Sequence, residues 1–160
     1  EEPPYFRTEQ MGSAVHAKAM LKYKDKIAGV YILEMIGYFD SRNIQEYPAG
    51  LKFFYPAHGN FIGAISNFSS NSLASNYCSA MKDLNKLDCQ RLVAPSFVTG
   101  VDFSDHLNYW NAGIPAIMIT DTAFLRNKNY HTPKDKVETL NLKKMSYVID
   151  GVVQTVMNHK

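Results

Sequence analysis

Residues 27–37, from Ile27 to Gly37, contain Val30, Tyr31, Ile32, Leu33, Met35 and Ile36, an apolar run without the alternation of a half-exposed strand. A run apolar on both faces suits a buried strand, and a buried strand suits a parallel sheet with helices on each side. A second run of this kind, Ile114 to Thr120, follows a short helical segment, Asp105 to Ala112, that Gly113 closes. Helices alternating with such runs predict an α/β fold, with ligands gathered at the C-terminal ends of the strands.

The remaining elements fit that frame. Gly12-Ser13 followed by Ala14, Ala17, Met20 and Leu21 predicts a helix with Ser13 as N-cap, ending near Tyr23 to Asp25. Residues 38–60 carry Asp40, Asn43, Pro48, Gly50, Pro56 and Gly59 among aromatics and read as a long surface loop. Phe61 to Ser66 is a short strand, and Leu73, Tyr77, Met81 and Leu84 mark a helix capped near Asn71 or Ser72. Arg91 to Val98 is a further strand, placed at an edge or a strand end because Pro95 interrupts it. At the end of the chain Leu142, Met145, Ile149, Val152, Val153 and Val156 recur at threes and fours behind Asn141, a natural N-cap, which predicts an amphipathic helix of about five turns.

Composition removes several function classes. The chain has 160 residues, enough for one core, and a net charge of +2, too small to mark a nucleic-acid surface. No apolar run reaches the roughly 18 residues of a membrane span. Cys78 and Cys89 can form at most one bridge and are no disulfide framework. The chain holds no Gly-x-Gly-x-x-Gly, Walker loop, Cys-x-x-Cys, His-Glu-x-x-His or Gly-x-Ser-x-Gly, so dinucleotide, phosphate-loop, zincin and serine-hydrolase readings fall away. Its opening, Glu1-Glu2-Pro3-Pro4, has no Met and no leader-like segment and reads as interior to something longer.

Four places stand at the ends of predicted elements and carry groups fit for chemistry. Glu34 interrupts an apolar run, where a charge is costly unless it is paired, hydrogen-bonded or bound to a cation; a buried salt bridge and a neutral carboxyl are the bland readings. His131, in Asn129-Tyr130-His131-Thr132-Pro133, is either a solvated loop residue or a metal ligand. Asp105 is either a helix N-terminal acid favoured by the macrodipole or a residue behind a site. Glu1-Glu2 is an ordinary acidic pair unless one carboxylate binds metal while the other acts as general base.

In order along the chain, Glu1-Glu2, Met11-Gly12-Ser13, Leu33-Glu34-Met35-Ile36-Gly37-Tyr38, Ser104-Asp105-His106 with Gly113-Ile114-Pro115-Ala116, and Tyr130-His131-Thr132-Pro133-Lys134-Asp135 resemble the zinc-dependent aminopeptidase family, metallopeptidase family twenty-eight. The resemblance implies a mixed, mostly parallel sheet flanked by helices, with residues 1–160 forming the C-terminal part of one catalytic domain that here lacks its N-terminal strands. It implies a peptide substrate and a two-zinc site whose bridging water attacks the scissile carbonyl. Glu1 is then the general base, Glu2 and His131 hold one zinc, Glu34 holds the other, and Tyr130 stabilises the oxyanion. Asp105 falls behind the ligands or along the substrate. Hard oxygen donors with imidazole suit zinc without excluding cobalt or manganese.

The family's His-x-Asp segment and bridging Asp have no counterpart in this chain. The expectation is therefore that the polypeptide alone binds zinc weakly or not at all and lacks peptidase activity. The same deficit predicts an open sheet edge and self-association through it. Two other readings stay in view: a glutaminyl cyclase with the same fold and one catalytic zinc, against which Glu34 argues as a ligand to a second metal, and a non-catalytic binding domain. Tyr47, Phe53, Phe54, Tyr55 and Phe124 either line an apolar side-chain pocket or simply pack their loops. A secreted or periplasmic location is the family tendency, compatible with a Cys78–Cys89 bridge.

Overall fold

The computed structural model describes residues 4–48 and 50–158. The chain runs α1 (Gly12–Met20), β1 (Val30–Glu34), β2 (Phe61–Ser66), α2 (Asn71–Leu84), β3 (Asp88–Val93), α3 (His106–Asn111), β4 (Ala116–Thr120) and α4 (Leu142–Met157). Short 3-10 turns lie at Leu21–Lys26, Leu51–Phe53, Phe68–Ser70, Ala123–Leu125 and Val137–Thr139. The four strands form one sheet in the order β1-β4-β2-β3. β1 is parallel to β4 and β2 to β3, while β2 and β4 are antiparallel, which is the mixed, mostly parallel, helix-flanked sheet expected. Among the described residues no helix is long and apolar enough to cross a membrane.

Strand periodicity of two divides the core. Tyr31, Ile62, Ala64, Ile117 and Ile119 face α2 and α4, where Leu73, Tyr77, Met81 and Val148 complete the larger cluster. Val30, Ile32 and Ala116 point to the opposite face, against Ala17 of α1 and Tyr109 of α3. Ile65 and Met118 continue that face beneath Val101. Glu34 and Thr120 share its parity and its end of the sheet, since β1 and β4 run the same way and Glu34 pairs with Thr120. A disulfide between Cys78 and Cys89 ties α2 to β3, with Cα atoms 5.3 Å apart.

Several local expectations need correction. Ser13 is not an N-cap: Met11 precedes α1 and makes no side-chain cap, while Ser13 is buried inside the helix and accepts a hydrogen bond from Asn108 Nδ2 at 2.8 Å. The apolar run 27–37 gives a shorter strand, and a sheet edge replaces the buried position, since among the described residues β1 pairs only with β4 and leaves Leu33 46% exposed. β3 starts at Asp88 and ends before Pro95, which lacks the N–H to continue it. α4 is capped as expected, the Asn141 side chain accepting from the Lys144 amide. Its apolar residues lie on two faces, however. Val148, Gly151 and Thr155 meet the core, whereas Leu142, Ile149, Val153 and Val156 look outward.

Candidate functional site

Where β1 and β4 end, the sheet face under α1 and α3 is left uncovered, and loops close around it. The result is a cavity of about 310 Å³ floored by Gly63 and Ile65 of β2, Leu92 of β3 and Met118 of β4. Tyr47, Tyr55, Val101, Phe103, Phe124 and Tyr130 form its walls. Gly63 of β2 stands opposite Thr120 in the antiparallel register, and a Cβ there would lie 3.2 Å from the Thr120 carbonyl oxygen, so glycine lets the strands lie flat beneath the cavity. Of the loop aromatics, Tyr47, Tyr55 and Phe124 line the cavity. Phe53 and Phe54 do not; they are 78% and 81% exposed. Burial pushes the Tyr47 phenol up to about 12, keeping it a neutral donor that bonds the Pro56 carbonyl at 2.6 Å.

Glu34 is the one charged side chain lining this apolar cavity among the described residues. It is half-buried, and no salt bridge holds it among those residues. Instead the Ser104 hydroxyl, 4% exposed, donates to Glu34 Oε2 at 2.7 Å across 70 residues of sequence. The hydroxyl fixes the direction of the carboxylate among the aromatic rings of the cavity.

Tyr130 lines the same cavity as Glu34, so the structure brings two of the sequence candidates together. His131 stacks on the Tyr130 ring, with centroids 3.8 Å apart, and is exposed. Its backbone is left-handed, with φ 58°; Met35, Thr122 and Ala123 are left-handed too, at 49°, 76° and 45°. Each costs on the order of 1–3 kcal/mol, and such strain gathers where a site is built. Asp105 does not line the cavity. It sits half-buried at the start of α3, makes no cap to the helix, and among the described residues leaves Oδ1 buried without a hydrogen-bond partner. Glu1 and Glu2 lie outside the described residues.

Among the described residues no three acidic, histidine or cysteine side chains cluster closely enough to hold a metal ion. A carboxylate and an imidazole, as in Glu34 and His131, are donor types that zinc accepts; Glu34 lines the cavity, whereas His131 is exposed and does not line it.

Two buried residues went unremarked in the sequence. Asp121, directly after β4, is fully buried and accepts from the amides of Gly37 at 3.0 Å, Tyr38 at 2.7 Å and Ala123 at 3.0 Å. Desolvation pushes its carboxyl up to about 6 against the pull of these donors and of Arg126. Arg126, 1% exposed, donates to Gln45 Oε1 at 2.8 Å and to the carbonyls of Phe61 at 2.9 Å and Tyr38 at 3.2 Å, and burial brings its pKa down to about 10. The signal that exposed Glu34, an acid beside an apolar run, applies equally to Asp121.

Against known proteins, the model of peptidase family M28 matches residues 9–156. The chain is 46% identical over 162 aligned residues to YfbL of Escherichia coli K12, an uncharacterised protein, and spans 49% of its length. Its fold is similar to that of the Legionella pneumophila aminopeptidase LapA, with a TM-score of 0.62 at 18% identity, covering 95% of this chain and 37% of LapA. It is similar also to a glutaminyl cyclase of Fimbriiglobus ruber, with a TM-score of 0.66 at 18% identity, covering 94% of this chain and 44% of that one.

Proposed function

The chain belongs to peptidase family M28, and from that premise we propose that it is the C-terminal part of a zinc-dependent aminopeptidase that removes apolar residues from the N-terminus of peptides. The observation that carries the reading is one apolar cavity lined by both Glu34 and Tyr130 at the ends of parallel strands. An apolar cavity of about 310 Å³ suits a leucine- or phenylalanine-sized side chain.

In this reading Glu34 holds one zinc and His131, with Glu2, the other. The chemistry supplied by zinc, when bound, is a lowered pKa for its water and polarisation of the scissile carbonyl. Glu1 takes the proton of the attacking water and passes it to the leaving amine. The Tyr130 hydroxyl donates to the carbonyl oxygen as negative charge develops there. Ser104 keeps the Glu34 carboxylate from rotating out of register. The Cys78–Cys89 bridge supports action in an oxidising compartment, secreted or periplasmic.

The test compares the 160-residue chain with a longer polypeptide that restores the upstream ligands, on leucyl and phenylalanyl amides and on a substrate with N-terminal glutamine. Hydrolysis of the amides by the longer form, abolished by a chelator and by Glu34→Gln, is expected, with the short chain inactive and losing its zinc on dialysis. Cyclisation of the glutamine substrate without amide hydrolysis would transfer the chain to the cyclase reading. About two zinc ions per chain retained by the short form would refute the incomplete site.

A further inference from the structure

Asp121 reaches neither the cavity nor, among the described residues, any ion-pair partner within salt-bridge distance, yet it is fully buried and satisfies three backbone donors. Those donors belong to two loops. Gly37 and Tyr38 lie on the segment that follows the bend at Met35 just past Glu34, and Ala123 belongs to the loop whose Thr122, Ala123 and Phe124 wall the cavity. The backbone of Asp121 adds a further tie, its N–H donating to the Met35 carbonyl at 2.6 Å. Met35, the residue after Glu34, is left-handed at φ 49°, a conformation that relaxes unless its surroundings fix it. Arg126 reinforces the same junction from the far side, bonding the Tyr38 carbonyl and, through Gln45, Thr122.

From this geometry we infer that Asp121 is a positioning residue for Glu34: by fastening the strained turn behind Glu34 to the cavity wall, it sets the direction in which the carboxylate enters the site. An apolar residue of the same size at position 121 would leave three amides without acceptors, and the strained Met35 turn would lose the contacts that hold it. The carboxylate thus joins the segment that follows Glu34 to the loop that walls the cavity, and no other side chain among the described residues accepts from all three of these amides. The kinetic consequence rests on the peptidase reading; the geometric one does not.

The decisive comparison is made on the metal-free 160-residue chain by NMR, reading the Glu34 carboxyl carbon and the Ser104 side chain. Asp121→Asn is expected to shift both, the Glu34 carbon in the direction produced by Ser104→Ala, which removes the Glu34 hydrogen bond outright. Unchanged Glu34 and Ser104 signals, with altered amides only at Gly37, Tyr38 and Ala123 and a lower melting temperature, would overturn the inference in favour of a purely structural role. Should Asp121→Asn fail to fold, Ser104→Ala reads the same coupling from the other end, because coupling between two positions is reciprocal. The Asp121 carboxyl carbon and the Gly37 and Tyr38 amides must then move, and their constancy would refute it. In a longer polypeptide with peptidase activity, Asp121→Asn should lower kcat about tenfold or more while KM stays within about twofold. Absence of turnover in the unsubstituted enzyme would count against the peptidase reading alone, since the NMR comparison decides Asp121 without it.

Discussion

Gly151 lies where α4 crosses α2, and replacing it by alanine sets two effects of known size against each other. In a helix interior alanine is favoured over glycine by about 1 kcal/mol. Here the added Cβ would overlap Met81 Sδ and stand 3.0 Å from Tyr77 Cε2 and 3.1 Å from Met81 Cγ. Both side chains are 0% exposed, so neither can swing into solvent. Forcing a methyl into a filled core costs about 1–3 kcal/mol through off-rotamer side chains and helix displacement. The overlap with a sulfur in mid-chain places the cost toward the upper end, and the net expectation is a loss of about 1–2 kcal/mol. For a chain of this size that is a fall in melting temperature of roughly 3–6 °C. Urea denaturation gives the free energy directly, and a double-mutant cycle identifies its origin. Met81→Ala removes the obstructing sulfur, so Gly151→Ala in that background should recover its helix-propensity gain and become stabilising. A Gly151→Ala protein as stable as the unsubstituted one, or additive effects in the cycle, would refute the argument that contact at this crossing is close.

Other consequences follow from separate features. Removing the disulfide with Cys78→Ser and Cys89→Ser together should lower the unfolding free energy by about 2–3 kcal/mol, the loop-closure value for a separation of 11 residues, seen as a lower urea midpoint. Asp121, whose folded pKa of about 6 exceeds its unfolded value, contributes stability that is full below the unfolded pKa and lost as pH rises through 6. Stability measured from about pH 4 to pH 7 should therefore fall by about 2 kcal/mol from this group, and that share of the slope should be lost in Asp121→Asn. The outer edge of β1 has no strand partner among the described residues, and we expect concentration-dependent self-association through it, read by sedimentation velocity. A lysine at Leu33, the exposed position of that strand, should weaken it.

How much of this could be read beforehand varies with the range of the interactions. Asn141 caps α4 as expected because a cap is a contact between residues three apart. β2 keeps the bounds its sequence predicts because Phe61, Ile62, Ala64 and Ile65 make a compact apolar run between Asn60 and Asn67. Glu34 was exposed as a site candidate by one charge in an apolar run. What fixes it was hidden, since the Ser104 hydroxyl comes from another loop and only the fold brings it near. The helix end assigned to Ser13 failed for the same reason: a buried bond from Asn108 outweighs the residue's local preference for capping. α4 shows the limit of periodicity, because its spacing reports apolar residues without saying which of two apolar faces meets the sheet.

The strand order carries a consequence for how the site comes into being. β1 is made early in the chain but its partner is β4, with Val30 paired to Ala116, while β2 and β3 join through an intervening helix and a local disulfide. Closing the long segment between β1 and β4 costs chain entropy before any ladder bond rewards it, so this pairing should come late. Until it does, Glu34 has no Ser104, its turn has no Asp121, and the cavity has no second wall. A chain emerging from the ribosome would thus complete its α2–β3 half first and the cavity around Glu34 last, with an apolar strand waiting unpaired in the interval, the period in which such a protein is most exposed to aggregation and to the chaperones that prevent it.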